Sequence, residues 1–178
     1  MHYLKGLAIR LILCFVPASF FSFIFTPLTI YGSYAVLNII FNVGINGRVL
    51  LVNGFPFEII EACVAGIAYY LLWLLVFLTK DVSAIERIKI LAYGFMLIFV
   101  MNIFRIWLLV FLAMKYSFHW FNIVHLAFWY FLTGIFVALV WIFLVVHFKV
   151  KNIPVYSDIK ALYLLGGKNR RKKPRRNV

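Results

Sequence analysis

The chain has 178 residues, of which 66% are hydrophobic and 20% aromatic, and its formal net charge is +13. A soluble core of this length has no use for so much apolar surface, and apolar runs of nearly membrane length recur, so the composition is that of an integral membrane protein. The charge does not indicate nucleic acid: ten of the 18 Lys and Arg follow Val146, in a tail ending KNRRKKPRRNV that offers no aromatic side chain after Tyr163 for bases to stack on.

In chain order, the start MHYLKGLAIRLILCFVPASFFSF is basic and then apolar, like a secretory signal, but lacks a small-x-small cleavage site. It predicts a retained first helix over residues 7–25, stopped at Thr26-Pro27. The next block, PLTIYGSYAVLNIIF, is short and carries Tyr31, Ser33 and Asn38, so it is expected to lie in the outer interface as a helix rather than to cross. Two Asn-Gly pairs then flank Arg-Val-Leu-Leu-Val and predict a small β-hairpin. Apolar blocks over residues 61–78, 88–113 and 121–148 complete the series.

Basic residues orient these blocks. The tail anchors to anionic head groups on the cytoplasmic side, and the loop TKDVSAIERIK, with Lys80, Arg87 and Lys89, belongs there too. The hairpin, with Arg48, and the loop around Lys115 then face outward, while Lys5 and Arg10 favour an inside amino terminus. The expected fold class is an all-α integral membrane protein with about four transmembrane helices, an outer-face interfacial helix and a small β-hairpin. One membrane domain would occupy residues 1–148, followed by a basic cytoplasmic tail over 149–178. Five crossings with an outside amino terminus is the open alternative.

This topology puts three reactive residues at one depth. Cys63 falls about 5 Å inside the outer end of the third block, at about 1.5 Å per residue, and Arg105 and His125 also fall in the outer leaflet. Arginine on a spanning helix is costly unless it meets water, an anion or a hydrogen-bond network. Asn102, three residues earlier on the same face, can hold the guanidinium. His125 has Asn122 three residues before it, and His119 in the adjacent loop is its rival. A nearby cation lowers a thiol's pKa and makes it a nucleophile, a charge on Arg105 suits a developing oxyanion, and an imidazole can shuttle the proton. Cys14, with no charged neighbour in sequence, reads as packing. The two cysteines form no Cys-x-x-Cys or metal-spaced cluster, so no metal or cofactor is expected.

EACVAG at 61–66 resembles the cysteine motif of the exosortase and archaeosortase family of membrane cysteine transpeptidases, with Cys63 at the nucleophile position. NIFRI at 102–106 is similar to that family's Asn-x-x-Arg-Ile motif, and His125 falls where its third residue is expected. Residues 26–135 resemble the family core in the order of their parts, and the short chain is most similar to a compact archaeosortase. Val64 and Ala65 depart from the usual Ser or Thr and Gly, and Trp129 stands where glycine is common. The resemblance implies a catalytic set of Cys63, Arg105 and His125, with Glu61, Asn102 and Asn122 supporting it. It also implies partners: secreted proteins ending in a short motif, a transmembrane helix and a basic tail, cleaved at the outer face through a thioester and passed to a membrane lipid. Two other readings remain open from the residues. One is a non-enzymatic scaffold in which Arg105 pairs with Glu61, and the other is a transporter, for which the inner halves of the spans hold few polar residues.

Overall fold

The computed structural model describes residues 13–79, 82–116 and 118–150. The basic start with Lys5 and Arg10, Lys80, and the basic tail from residue 151 lie outside the described residues.

Helix α1, Ala18–Leu37, follows the extended Pro17 and runs straight through Pro27. The break expected at Thr26-Pro27 does not occur, and the separate interfacial helix is the second half of α1. Proline removes one backbone donor, whereas ending the helix in apolar surroundings would leave several donors and acceptors unpaired, so continuation is the cheaper outcome. Thr26 helps locally by donating its hydroxyl to the Ser22 carbonyl at 2.6 Å.

The expected hairpin is a three-stranded antiparallel meander, β1 Val43–Asn46, β2 Val49–Val52 and β3 Phe55–Glu58, with β2 in the centre. A strand with a tight turn at each end has a neighbour on each side. Gly47 (φ +60°) opens the first turn, and Asn53 and Gly54 (φ +49° and +86°) form the second, left-handed as two-residue hairpin loops require. The pleat decides which β2 side chains go in. Leu50 and Val52 are buried with Leu37, Phe41, Val64, Ile106 and Val110, and Leu51 between them is exposed.

The third apolar block is two helices, not one. A single turn, α2 Glu61–Val64, ends at Ala65, whose φ of +60° reverses the backbone before α3 Gly66–Leu78 begins. Helix α4, Ala84–Lys115, opens with a reciprocal capping box in which Glu86 N–H reaches Ser83 Oγ and Ser83 N–H reaches the Glu86 carboxylate. The fifth block comprises α5 Phe118–Tyr130, a π-helical segment Phe131–Phe136 and α6 Val137–His147.

Among the described residues two helices, α1 and α4, are long and apolar enough to cross a membrane. The expectation of about four such helices is therefore met by two. The other two blocks are divided, one by the reversal at Ala65 and one by the π segment. What remains of each as regular α-helix is short: α3 has 13 residues and α6 has 11.

Close backbone approach holds the helices together. A Cβ on Gly66 would meet Ser22 Oγ at 2.1 Å, and one on Gly94 of α4 would meet Leu72 Cδ2 at 2.3 Å and Leu144 Cδ1 at 3.0 Å. Phe21, Phe25, Tyr69, Trp73 and Phe95 form an aromatic cluster at this level, with Phe25 stacked on Tyr69 at 3.7 Å between centroids. At the end of α3, the Arg87 guanidinium donates to the carbonyls of Val76, Phe77 and Thr79. These are the orphan acceptors that every helix end leaves. The pairing of α1 with α3 and α4 leaves α2, the sheet and the Asn102 turn of α4 together at one end of the molecule.

Candidate functional site around Cys63

Asn102 and Arg105 lie three residues apart on α4, on the face that also buries Ile98, Ile106 and Leu109. Facing inward, they are 0% and 1% exposed. Both reach across to the same single turn. Asn102 Nδ2 donates to the Cys63 carbonyl at 2.8 Å, and one terminal nitrogen of Arg105 donates to the Ala62 carbonyl at 3.1 Å. A four-residue helix cannot satisfy its own carbonyls, so α4 supplies the partners and α2 stays in place despite its length. Cys63 N–H closes the turn on the Ile60 carbonyl at 2.8 Å.

Arg105 has no carboxylate partner among the described residues. Glu61 opens α2 and is exposed, so the Arg105–Glu61 pair is not made and Glu61 does not orient the guanidinium. Its charge lies near enough to Cys63 of α2 and His125 of α5 to act on both electrostatically. His125 is half-buried, its ring stacks on Phe121 at 5.7 Å, and its Nδ1 is shielded from solvent with no partner. Asn122 and His119 on the same helix are exposed, so neither is brought to the buried side of His125.

The thiol lies beside a buried cationic side chain, since Arg105 grips the carbonyl of the residue before it. Deprotonation of such a thiol calls for a base, and among the described residues the His125 Nδ1 has no hydrogen-bond partner. Arg105 also retains a donor, since its buried Nε has no acceptor among the described residues. The arrangement therefore combines a thiol, a base and an available cationic donor.

Cys14 lies in the segment that Tyr70 and Trp73 hold by donating to the Cys14 and Leu13 carbonyls. Two further buried polar residues, Thr29 and Ser33 of α1, are 0% and 1% exposed with hydroxyls that have no partner. Their sequence signal is only a polar pair four apart in an apolar run. Compared with protein-family models, with curated proteins and with solved structures, the chain matches none.

Proposed function

We propose that the protein is a membrane-embedded cysteine transpeptidase of the exosortase and archaeosortase kind, cleaving a C-terminal sorting signal of secreted proteins at the outer membrane face. One observation carries the reading: the buried Arg105 guanidinium, with no carboxylate partner among the described residues, grips the Ala62 carbonyl beside Cys63, while Asn102 of the same helix grips that of Cys63 itself. His125 takes the Cys63 proton as sulfur attacks the scissile carbonyl. Arg105 donates to the oxyanion that forms, an interaction stronger in the transition state than in the ground state. Collapse breaks the C–N bond, the leaving amine takes the proton from His125, and a thioester remains on Cys63. The amine of a lipid head group attacks this thioester and gives its proton to His125, the C–S bond breaks, and His125 passes the proton to the departing Cys63 sulfur. The substrate protein is left attached to lipid.

In this reading both termini are cytoplasmic and there are four crossings. The third is completed by α2, Ala65 and α3 together, and the fourth by α5, the π segment and α6. Non-helical backbone at Ala65 is tolerable inside a membrane where protein partners satisfy it, and Asn102 and Arg105 do so on the α2 side.

The test is co-expression with a secreted protein carrying a motif, a transmembrane helix and a basic tail. Cys63→Ala should abolish the mass shift of that substrate, and Cys14→Ala should leave it unchanged. Normal processing by Cys63→Ala would sink the proposal. A scaffold is the second reading, favoured by the bonds from Asn102 and Arg105 to backbone carbonyls. It predicts that Cys63→Ser retains full function.

A further inference from the structure

Thr26 and Thr79 show what a helical threonine does by default here: each hydroxyl donates to the carbonyl four residues back, at 2.6 Å. Thr29 and Ser33 have the same carbonyls available four residues back in α1 and do not use them. Their hydroxyls are turned elsewhere, fully buried and unpaired, one helical turn apart on one face.

The packing register identifies what flanks that face. Gly32, on the adjoining face of α1, lies against α4, where a Cβ would come 3.0 Å from Phe99 Cζ and 3.1 Å from Ile103 Cδ1. Asn102 occupies the same turn of α4, and Arg105 the next. Ile30 and Leu37 of α1 join the cluster that holds Val64 and Ile106 and packs against Cys63. The hydroxyl face of α1 thus borders the same end of the molecule as the candidate nucleophile. Asn102 Oδ1 and Arg105 Nε are likewise buried and unpaired there.

Together these four groups offer two hydroxyls that both donate and accept, one amide oxygen that accepts and one N–H that donates. Buried polar groups in native proteins are nearly always paired, so such a set calls for a partner with matching donors and acceptors. A peptide main chain alternates N–H and C=O in this way, whereas a lipid acyl chain offers neither. We propose that Thr29 and Ser33 are substrate-binding residues that, with Asn102 and Arg105, hold the main chain of the peptide next to the bond attacked by Cys63. This rests on the transpeptidase reading and adds a specificity element to it.

The experiment uses the full chain with Cys14→Ser in detergent micelles, and alkylation of Cys63 followed by intact mass. One reagent is an acetyl-tripeptide chloromethyl ketone, one is the same compound N-methylated along its main chain, and one is iodoacetamide. The expected result is faster labelling by the tripeptide than by its N-methylated form. Thr29→Val with Ser33→Ala should slow the tripeptide about tenfold or more and iodoacetamide by less than twofold, while Thr29→Ser should restore most of the rate. An equal slowing of all three reagents would mean a packing role and overturn the inference, as would an unchanged tripeptide rate. If the parent protein shows no preference for the tripeptide over iodoacetamide, and Cys63→Ala also processes a cognate substrate, the transpeptidase reading itself fails. Processing that still depends on Cys63 would leave that reading intact and overturn only the subsite.

Discussion

Arg105 carries a planar fork that reaches the Ala62 carbonyl with one nitrogen while Nε remains available. Lysine cannot do both, so Arg105→Lys is expected to lower processing about 100-fold or more, measured as initial rate on a cognate substrate. Thiol chemistry gives a second readout. A cation beside a thiol favours the thiolate, so Arg105→Ala should slow iodoacetamide labelling of Cys63 at neutral pH; an unchanged or faster rate would contradict the assigned contact. Ala65 is the third residue with a clear expectation. Its left-handed backbone costs an L side chain about 1–2 kcal/mol, so Ala65→Gly should stabilise the fold by about 0.5–1 kcal/mol after the entropy of glycine is subtracted, read as a higher unfolding temperature. That Asn102 and Arg105 would find partners was legible in sequence, because a polar residue in a long apolar run needs one. Which way Glu61 and Asn122 face was not, because spacing alone does not tell which side of a short helix faces the protein.

At the scale of elements, glycine and arginine decide the packing. Gly66→Ala forces a methyl into Ser22, whose backbone nitrogen stands 3.2 Å from the new Cβ, so more than a rotamer change is needed. A loss of about 1–3 kcal/mol is expected, visible as lower thermal stability, with Ser22→Ala only partly compensating. Arg87 read in sequence as a marker of the cytoplasmic side, but it also ties off the end of α3. Arg87→Ala should cost about 2–4 kcal/mol by leaving buried carbonyls unpaired, and proteolysis near residues 76–79 would reveal the fraying. Hydropathy located the helical blocks well and their interruptions badly. Pro27 looked like a stop and is not one, because ending the helix among apolar neighbours would leave more backbone groups unpaired than the one donor that proline removes. Ala65 looked innocuous and carries the reversal, which no propensity would assign to alanine. The two Asn-Gly turns were legible, and the third strand was already implied by their number.

For the whole molecule, the proposed orientation makes Arg48 and Lys115 external. Single cysteines at these positions, in a Cys14→Ser, Cys63→Ala background, should react with an impermeant maleimide in intact cells, and one at Lys168 should react only after permeabilisation. The reverse pattern would turn the site to the cytoplasm and remove access to a secreted substrate. The mainly helical class with its small sheet could be read from the pattern of apolar blocks and turns, since it depends on sums over many residues. The number of unbroken helices could not, because it depends on two local backbone events in blocks that look uniform.

Among the described residues no carboxylate faces the buried Arg105 guanidinium, so the positive charge there is offset only by dipoles such as the Ala62 carbonyl that it grips. In the proposed reaction the first full negative charge beside it would be the one created on sulfur or on a carbonyl oxygen. A passing anion of the right size, such as a sulfonate or a tetrahedral boronate, should then act as a competitive block.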